Sequence, residues 1–176
     1  TYAAFVNHAF DRPSRRFRNF MSFDRRWLEA VGSEDCHGHA LWALGLCVAQ
    51  AGQSSFQMLA ADLFEQALPV AAEFTSPRAW AFTLIGIDEY LSRLSGDRRA
   101  DQIRESIIAR LMQRYADAAT EDWQWFEDAA SYANAKLPHA LILSGRCMKD
   151  DAMIETGLTA LRWLVKVQTS AAGSFQ

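Results

Sequence analysis

The sequence predicts an all-helical protein built from repeated helical hairpins, and three observations carry that expectation. From Cys36 onward apolar residues recur at helical spacing, as they do in helices that bury one stripe against a core. Helix-start and helix-stop residues punctuate this stretch regularly. An apolar helix, a short Gly-containing turn and an amphipathic helix follow one another three times over. No strand-like alternation competes seriously with this pattern.

Each element has its own local reason. Ala40 to Gln50 reads as an apolar helix that stops at Gly52, the residue type that most easily takes a left-handed terminal conformation. Ser54, with Gln57 three residues later, has the spacing of a capping box. It opens a second helix with Phe56, Leu59, Leu63, Phe64, Ala67 and Leu68 on one side. Pro69 is expected to end or kink that helix, because it removes a backbone donor and crowds the preceding turn. Ser76-Pro77 is a strong start signal, with a side-chain cap followed by a residue that needs no amide partner. The third helix runs from there to about Leu94 and Gly96.

Asp97 is expected to cap the fourth helix, where Ile103, Ile107, Leu111, Met112, Tyr115 and Ala118 line one face. Arg104, Glu105, Arg110, Gln113, Arg114 and Asp117 cover the other. A further helix begins near Asn134 and reaches Gly145, with Pro138 tolerated in its first turn. Asp150 or Asp151 caps the last, which carries Ile154, Leu158, Leu161 and Val165. The pairs are about 36–50 with 55–73, 78–95 with 98–118, and 134–145 with 151–168. Stacked hairpins with apolar inner and amphipathic outer helices describe a helical toroid or solenoid.

Composition narrows the function classes. The 176 residues suffice for one substantial core and fit a single domain spanning 1–176. Half are apolar and six are Trp, which excludes a disordered chain. The formal charge of -3 gives no general attraction to nucleic acid. Arg12, Arg15, Arg16, Arg18, Arg25 and Arg26 gather early, but Asp11 and Asp24 interrupt them, as in a solvated or ion-paired segment. Cys36, Cys47 and Cys147 form no C-x-x-C pair, which argues against a disulfide framework or zinc knuckle. No apolar run is long enough to span a bilayer, and no cleavable signal is present, so the expected location is cytoplasmic. The chain starts at Thr1 and ends at Ser174-Phe175-Gln176 without helix-stop character, so a piece of a longer protein is expected.

The chemistry concentrates in the loops that lead into the apolar helices, where unpaired amides and the positive helix ends meet. The first reads Gly32-Ser33-Glu34-Asp35-Cys36-His37-Gly38-His39-Ala40-Leu41-Trp42. Two carboxylates, two imidazoles and an indole could bind a polar ligand. Equally, Asp35 could be a helix cap and Glu34 a partner of the helix dipole. His37 and His39 point to different sides of a helix and lack a third ligand, so no metal is expected. In the second loop, Arg78 could clamp hydroxyls or a carboxylate and Trp80 could stack on a sugar, or Trp80 could fill the core. Asp88 and Glu89, farther along that helix, are not read as catalytic.

The third loop is the richest: Asp122-Trp123-Gln124-Trp125-Phe126-Glu127-Asp128, then Tyr132-Ala133-Asn134-Ala135-Lys136 and His139. Aromatic faces suit the apolar side of a pyranose, carboxylates and amides its hydroxyls, and paired carboxylates suit glycosidic cleavage. The competing reading makes Thr120 the cap of a short helix whose Trp123 and Phe126 are core. The serine-hydrolase elbow, the phosphate loop, the dinucleotide fingerprint and the H-E-x-x-H zinc motif are all missing, so no cofactor is expected. The adjacency of Cys36 and His37 does not make a thiol nucleophile.

At the runs Ser33 to Gly45, Asp122 to Asp128 and Tyr132 to Pro138, together with Asp24-Arg25-Arg26-Trp27, the sequence resembles the six-hairpin glycosidase-like superfamily of (α/α) toroids. It looks more closely similar to the helical domains encoded with or fused to bacterial glycosyltransferases. The resemblance implies a six-hairpin barrel with carbohydrate at one end, of which about three hairpins are present. It also implies acidic catalysis if the domain is a glycoside hydrolase acting on a bacterial glycan. The resemblance aligns no specific acid with a role, and the acids gathered at the inner-helix starts, Asp35 with Glu127 or Asp128, would be the pair. Trp42, Trp80, Trp123, Trp125 and Tyr132 would be sugar platforms, and Glu34, His37, His39, Arg78, Asn134 and Lys136 polar ligands. The alternatives are a non-catalytic carbohydrate-binding or scaffold module accompanying a glycosyltransferase, and a helical-repeat interaction protein. The last would keep its leading loops apart.

Half a ring exposes apolar helix flanks, so a homodimer or packing against a missing segment of the same protein is expected. Gel filtration coupled to light scattering tests this: self-association is expected, and a well-behaved monomer without apolar exposure contradicts it.

Overall fold

The computed structural model describes residues 2–170 and 172–174. The chain divides into two compact units, one up to Ser106 and the other from Ile107. Each is described by itself.

The first unit opens with α1 (Tyr2–Ala9) and a two-residue antiparallel pair, β1 (Phe10–Asp11) and β2 (Arg16–Phe17), in which Phe10 faces Phe17. Neither strand was foreseen. The pair is too short for alternation to show, and Asp11 ties its turn through the Ser14 amide at 3.1 Å. The three long helices that follow are α2 (Glu34–Gln50), α3 (Ser54–Ala67) and α4 (Pro77–Arg93). α5 (Arg98–Ala118) contains the division between the units. The second unit continues with an irregular stretch and then α6 (Lys136–Met148) and α7 (Asp151–Gln168).

Most starts and stops follow local rules. Ser76 caps α4 by accepting the Ala79 amide at 3.3 Å, with Pro77 at the first helical position. Asp97 accepts the amides of Arg99 and Ala100 at the head of α5, and Asp150 accepts that of Met153 at the head of α7. α3 ends just before Pro69, and the chain tightens into a 3-10 helix over Leu68–Glu73.

Three expectations are corrected. Ser54 is not a cap: Gln53 holds that position without a side-chain bond, and Gln57 reaches instead to the Val48 carbonyl at 3.2 Å. α6 runs past Gly145 and ends at Lys149, whose φ of 58° supplies the left-handed residue. No short helix follows Thr120. Its hydroxyl accepts the Trp123 amide at 3.2 Å, but the chain continues through turns.

α2 and α4 form the closest helix pair of the first unit. Residues 38 and 45 of α2 meet 79–82 and 86 of α4, so both helices advance in the same direction. Glycine permits the approach. A Cβ on Gly45 would stand 2.1 Å from the Gly86 carbonyl oxygen, and one on Gly86 would stand 2.7 Å from the Leu41 oxygen. With no side chain between them the backbones touch, and Leu41, Leu44 and Val48 of α2 and Ala81, Phe82 and Ile85 of α4 are all buried. α4 is buried on nearly every side, including Arg78 and Asp88. Asp88 is not solvent-facing: Arg104 of α5 pairs with it at 3.1 Å and with Asp101 at 2.7 Å.

The second unit uses the same device in an antiparallel pair. A Cβ on Gly157 of α7 would lie 2.9 Å from the Pro138 oxygen of α6, and one on Gly145 would lie 3.1 Å from the Asp150 oxygen. None of the described helices is long and apolar enough to cross a membrane.

We expect Gly45→Ala or Gly86→Ala to cost on the order of 3 kcal/mol in urea denaturation, overpacking outweighing any gain in helix propensity. Gly52→Ala, which meets nothing within 4 Å, is expected to stay within about 0.5 kcal/mol of the parent. Equal stability of all three variants would show that the contact tolerates separation.

Candidate functional site

Because α2 and α4 run parallel, their N-terminal ends come to the same edge of the first unit. Ser33 caps α2 by accepting the Cys36 amide at 3.1 Å. Asp35 is therefore not the cap of its own helix. Its carboxylate accepts the Ser76 hydroxyl, 2.9 Å away at the head of α4. Glu34 makes the same crossing: Oε2 accepts the backbone amides of Thr75 and Ser76 at 2.8 and 2.7 Å. The first two leading loops thus converge, locked by carboxylates of one helix on donors that precede the other.

Aromatic groups stand beside this lock. His39 is exposed, and its ring lies 3.7 Å from that of Phe82, while its Nδ1 is 2.9 Å from the Asp35 carbonyl. Trp42, half-buried, is nearly parallel to Phe82 at 6.1 Å. Arg16 lies over the Phe74 ring at 4.8 Å and donates to the Gly32 carbonyl at 2.7 Å. Its burial lowers its pKa, and Glu34 opposes that fall.

Three residues read as candidate ligands are buried. His37 is completely buried between Phe17 and Phe74. Its Nε2 lies 3.1 Å from the Ala67 carbonyl and its Nδ1 3.4 Å from the Phe17 amide, so Nε2 carries the proton and Nδ1 accepts. Trp80 is buried, with its indole N–H donated to the Phe74 carbonyl at 2.7 Å. Arg78 is buried too, one residue into α4. Periodicity could not separate His37 from a polar face, because Phe17, Ala67 and Phe74, all distant in sequence, enclose it.

The second unit treats its tryptophans similarly. Trp125 is wholly buried and nearly parallel to Trp163 at 5.5 Å. Trp123 meets Trp163 edge-on at 4.6 Å and donates to the Glu127 carbonyl at 2.7 Å. Trp163 donates to the Asp122 carbonyl, which pins the loop to α7. Trp125 is thus core, and Trp123 is half-buried.

Glu127 and Asp128 instead border a shallow cavity of about 180 Å³ with Arg114, Asp117, Ala118 and Phe126. Arg114 and Asp117 were counted only as the polar face of α5, although their spacing of three residues does place them together. Tyr132 is exposed. Asn134 accepts the Ser131 amide at 3.1 Å, and Lys136 is the first residue of α6. Asp35 belongs to the first unit and the Glu127–Asp128 pair to the second.

Among the described residues, no group of three or more His, Cys, Asp or Glu side chains is placed to hold a metal ion. Burial pushes the Cys36 thiol up, which disfavours the thiolate a nucleophile would need. The fold and this edge define an all-helical protein in which two helix N-termini are cross-tied by carboxylates and flanked by aromatic rings. No family model, curated protein or solved structure matches the chain.

Burial lowers the His37 pKa from its ordinary 6.5 to about 3. The neutral ring fits both states at high pH, and only the unfolded chain takes up a proton as pH falls below 6.5. Stability is therefore complete above that value and lost progressively toward pH 3, by about 1.4 kcal/mol per unit. We expect urea midpoints to fall between pH 7 and pH 5, and His37→Gln, which does not titrate, to show a shallower fall. Parallel pH profiles would place the acid sensitivity elsewhere.

Proposed function

We propose that this chain is a carbohydrate-active domain that binds a glycan across the converging heads of α2 and α4, with glycoside hydrolysis as its activity. The observation that supports this reading most is the contact of Asp35 with the Ser76 hydroxyl. It brings together two of the three loops that hold the polar and aromatic candidates, whereas a plain helical-repeat interaction protein would keep such loops apart. His39 and Trp42 supply an exposed imidazole and a half-buried indole beside the carboxylates. Sugar recognition combines such surfaces, with rings against C–H faces and carboxylates on hydroxyls. The parallel neighbours α2 and α4 also suit the inner helices of an (α/α) toroid, the arrangement the resemblance implies.

One observation favours a second reading, a non-catalytic binding or scaffold module accompanying a glycosyltransferase. Glu34 is committed to two backbone amides and Asp35 to a hydroxyl. Carboxylate oxygens already engaged by the protein's own donors are less open to a reacting group than free ones, and they suit holding the edge in shape. In this second reading the same edge would bind glycan without turnover.

A glycan array followed by a product assay separates the two. Under the hydrolase reading, Asp35→Asn is expected to lower turnover by about 100-fold or more while binding changes by less than about tenfold. Binding without product in the parent protein selects the module, and no glycan binding rejects both.

A further inference from the structure

We propose that the hairpin Phe20–Leu28 is an aromatic and cationic platform that selects an anionic glycan. The proposal rests on the carbohydrate reading of the neighbouring edge and names the class of sugar that edge receives.

The hairpin is preformed. The Leu28 amide donates to the Phe20 carbonyl at 3.0 Å, and Met21 and Trp27 form an antiparallel bridge. Its turn is closed by the Ser22 amide on the Arg26 carbonyl at 2.8 Å and the Arg25 amide on the Ser22 carbonyl at 2.9 Å. Arg25 takes a left-handed φ of 63°. Asp24 pairs with Arg26 at 2.5 Å and also accepts from the Ser22 hydroxyl.

This scaffold turns its apolar side outward. Trp27 faces Phe5 and His8 of α1 at 6.0 and 5.5 Å, with the Arg18 guanidinium over its ring at 5.7 Å. Cross-strand partners share a face and successive residues alternate. Phe20 and Leu28 therefore project away from Trp27, and they are 60% and 67% exposed. Phe23, in the turn, is fully exposed. A hairpin covered on one side ordinarily shows polar residues on the other.

Charge distinguishes this segment from the rest of the molecule. The hairpin itself carries Arg25 and Arg26 against Asp24, a net of +1, and the surrounding residues 10–31 carry six arginines against Asp11, Asp24 and Glu29, a net of +3 in a chain of -3. Arg18 pairs with Asp11 and Arg26 with Asp24, whereas Arg15 and Arg25 are exposed, both on left-handed backbone.

The base of the hairpin joins the head of α2. Glu29 accepts the Asn19 and Phe20 amides, the Gly32 amide donates to the Phe17 carbonyl at 3.0 Å, and Ser33 follows as the cap of α2. The platform thus stands beside the Glu34 and Asp35 edge in one compact unit. Phe20, Phe23 and Leu28 offer a small outward apolar face. They match one or two sugar rings. Outward rings, with the exposed Arg25 two residues from Phe23, suit a pyranose bearing a carboxylate or sulfate, which arginine can grip with two parallel bonds.

The test is binding of the whole chain to an array of uronate-, sialate-, sulfate- and phosphate-bearing and neutral oligosaccharides, followed by titration calorimetry. Anionic glycans are expected to bind at least about tenfold more tightly than neutral ones, and Phe23→Ser to weaken binding about tenfold. Arg25→Gln is expected to remove most of the anionic preference, and Arg146→Gln on α6 to leave binding unchanged. Circular dichroism of each variant checks the fold. Preference for neutral glycans, or parent-like binding by Phe23→Ser and Arg25→Gln, overturns the platform and leaves the carbohydrate reading standing. Absence of binding to every glycan overturns both.

Discussion

The backbone contact between Gly45 and Gly86 is the constraint on which the rest of the first unit depends. Two helices this close have no room for independent tilting, so the position of one head fixes the other. That rigidity lets Glu34 reach the amides of Thr75 and Ser76, and Asp35 the Ser76 hydroxyl, without a flexible linker. Separating the helices by the width of one methyl group would stretch all of these bonds together. The polar edge is therefore a product of core packing. A carboxylate that completes the amides before a neighbouring helix stabilises the fold and shapes the surface a ligand would meet.

His37 binds this arrangement to the segment before it. One ring nitrogen serves the carbonyl at the end of α3 and the other the amide of Phe17 in β2. A single buried side chain thus joins the small N-terminal pair, the head of α2 and the turn between α3 and α4. A hydrophobic residue of similar size would fill the space and leave both backbone groups unsatisfied.

The sequence reveals this protein unevenly. Signals confined to a few neighbouring residues were legible: Ser76 with Pro77, Asp97, Asp150 and the stop at Pro69 each act through atoms within one helical turn. The pattern of apolar helices carried the all-helical expectation, which the element order bears out. What depends on distant partners was not legible. Gly45 and Gly86 look like weak helix formers until each is seen against the other's carbonyl. Asp35 and Ser33 are both good caps, and only the position of Ser76 decides which of them serves α2. His37 and Trp125 belong to residue types that serve sites and cores equally well, and enclosure by remote segments separates the two uses. The hairpin at Phe20–Leu28 escaped because its alternation spans too few residues to register.

Trp123, Trp125 and Trp163 lie close enough for their excited states to mix. Indoles at 4.6 and 5.5 Å in fixed, unequal orientations absorb as a coupled chiral group, unlike three separate chromophores. The loop after α5 therefore carries its own optical signature, created by the geometry that pins it to α7. Loosening that loop would abolish the coupling while leaving the helices intact. Tertiary order in the second unit can thus be followed separately from helix content.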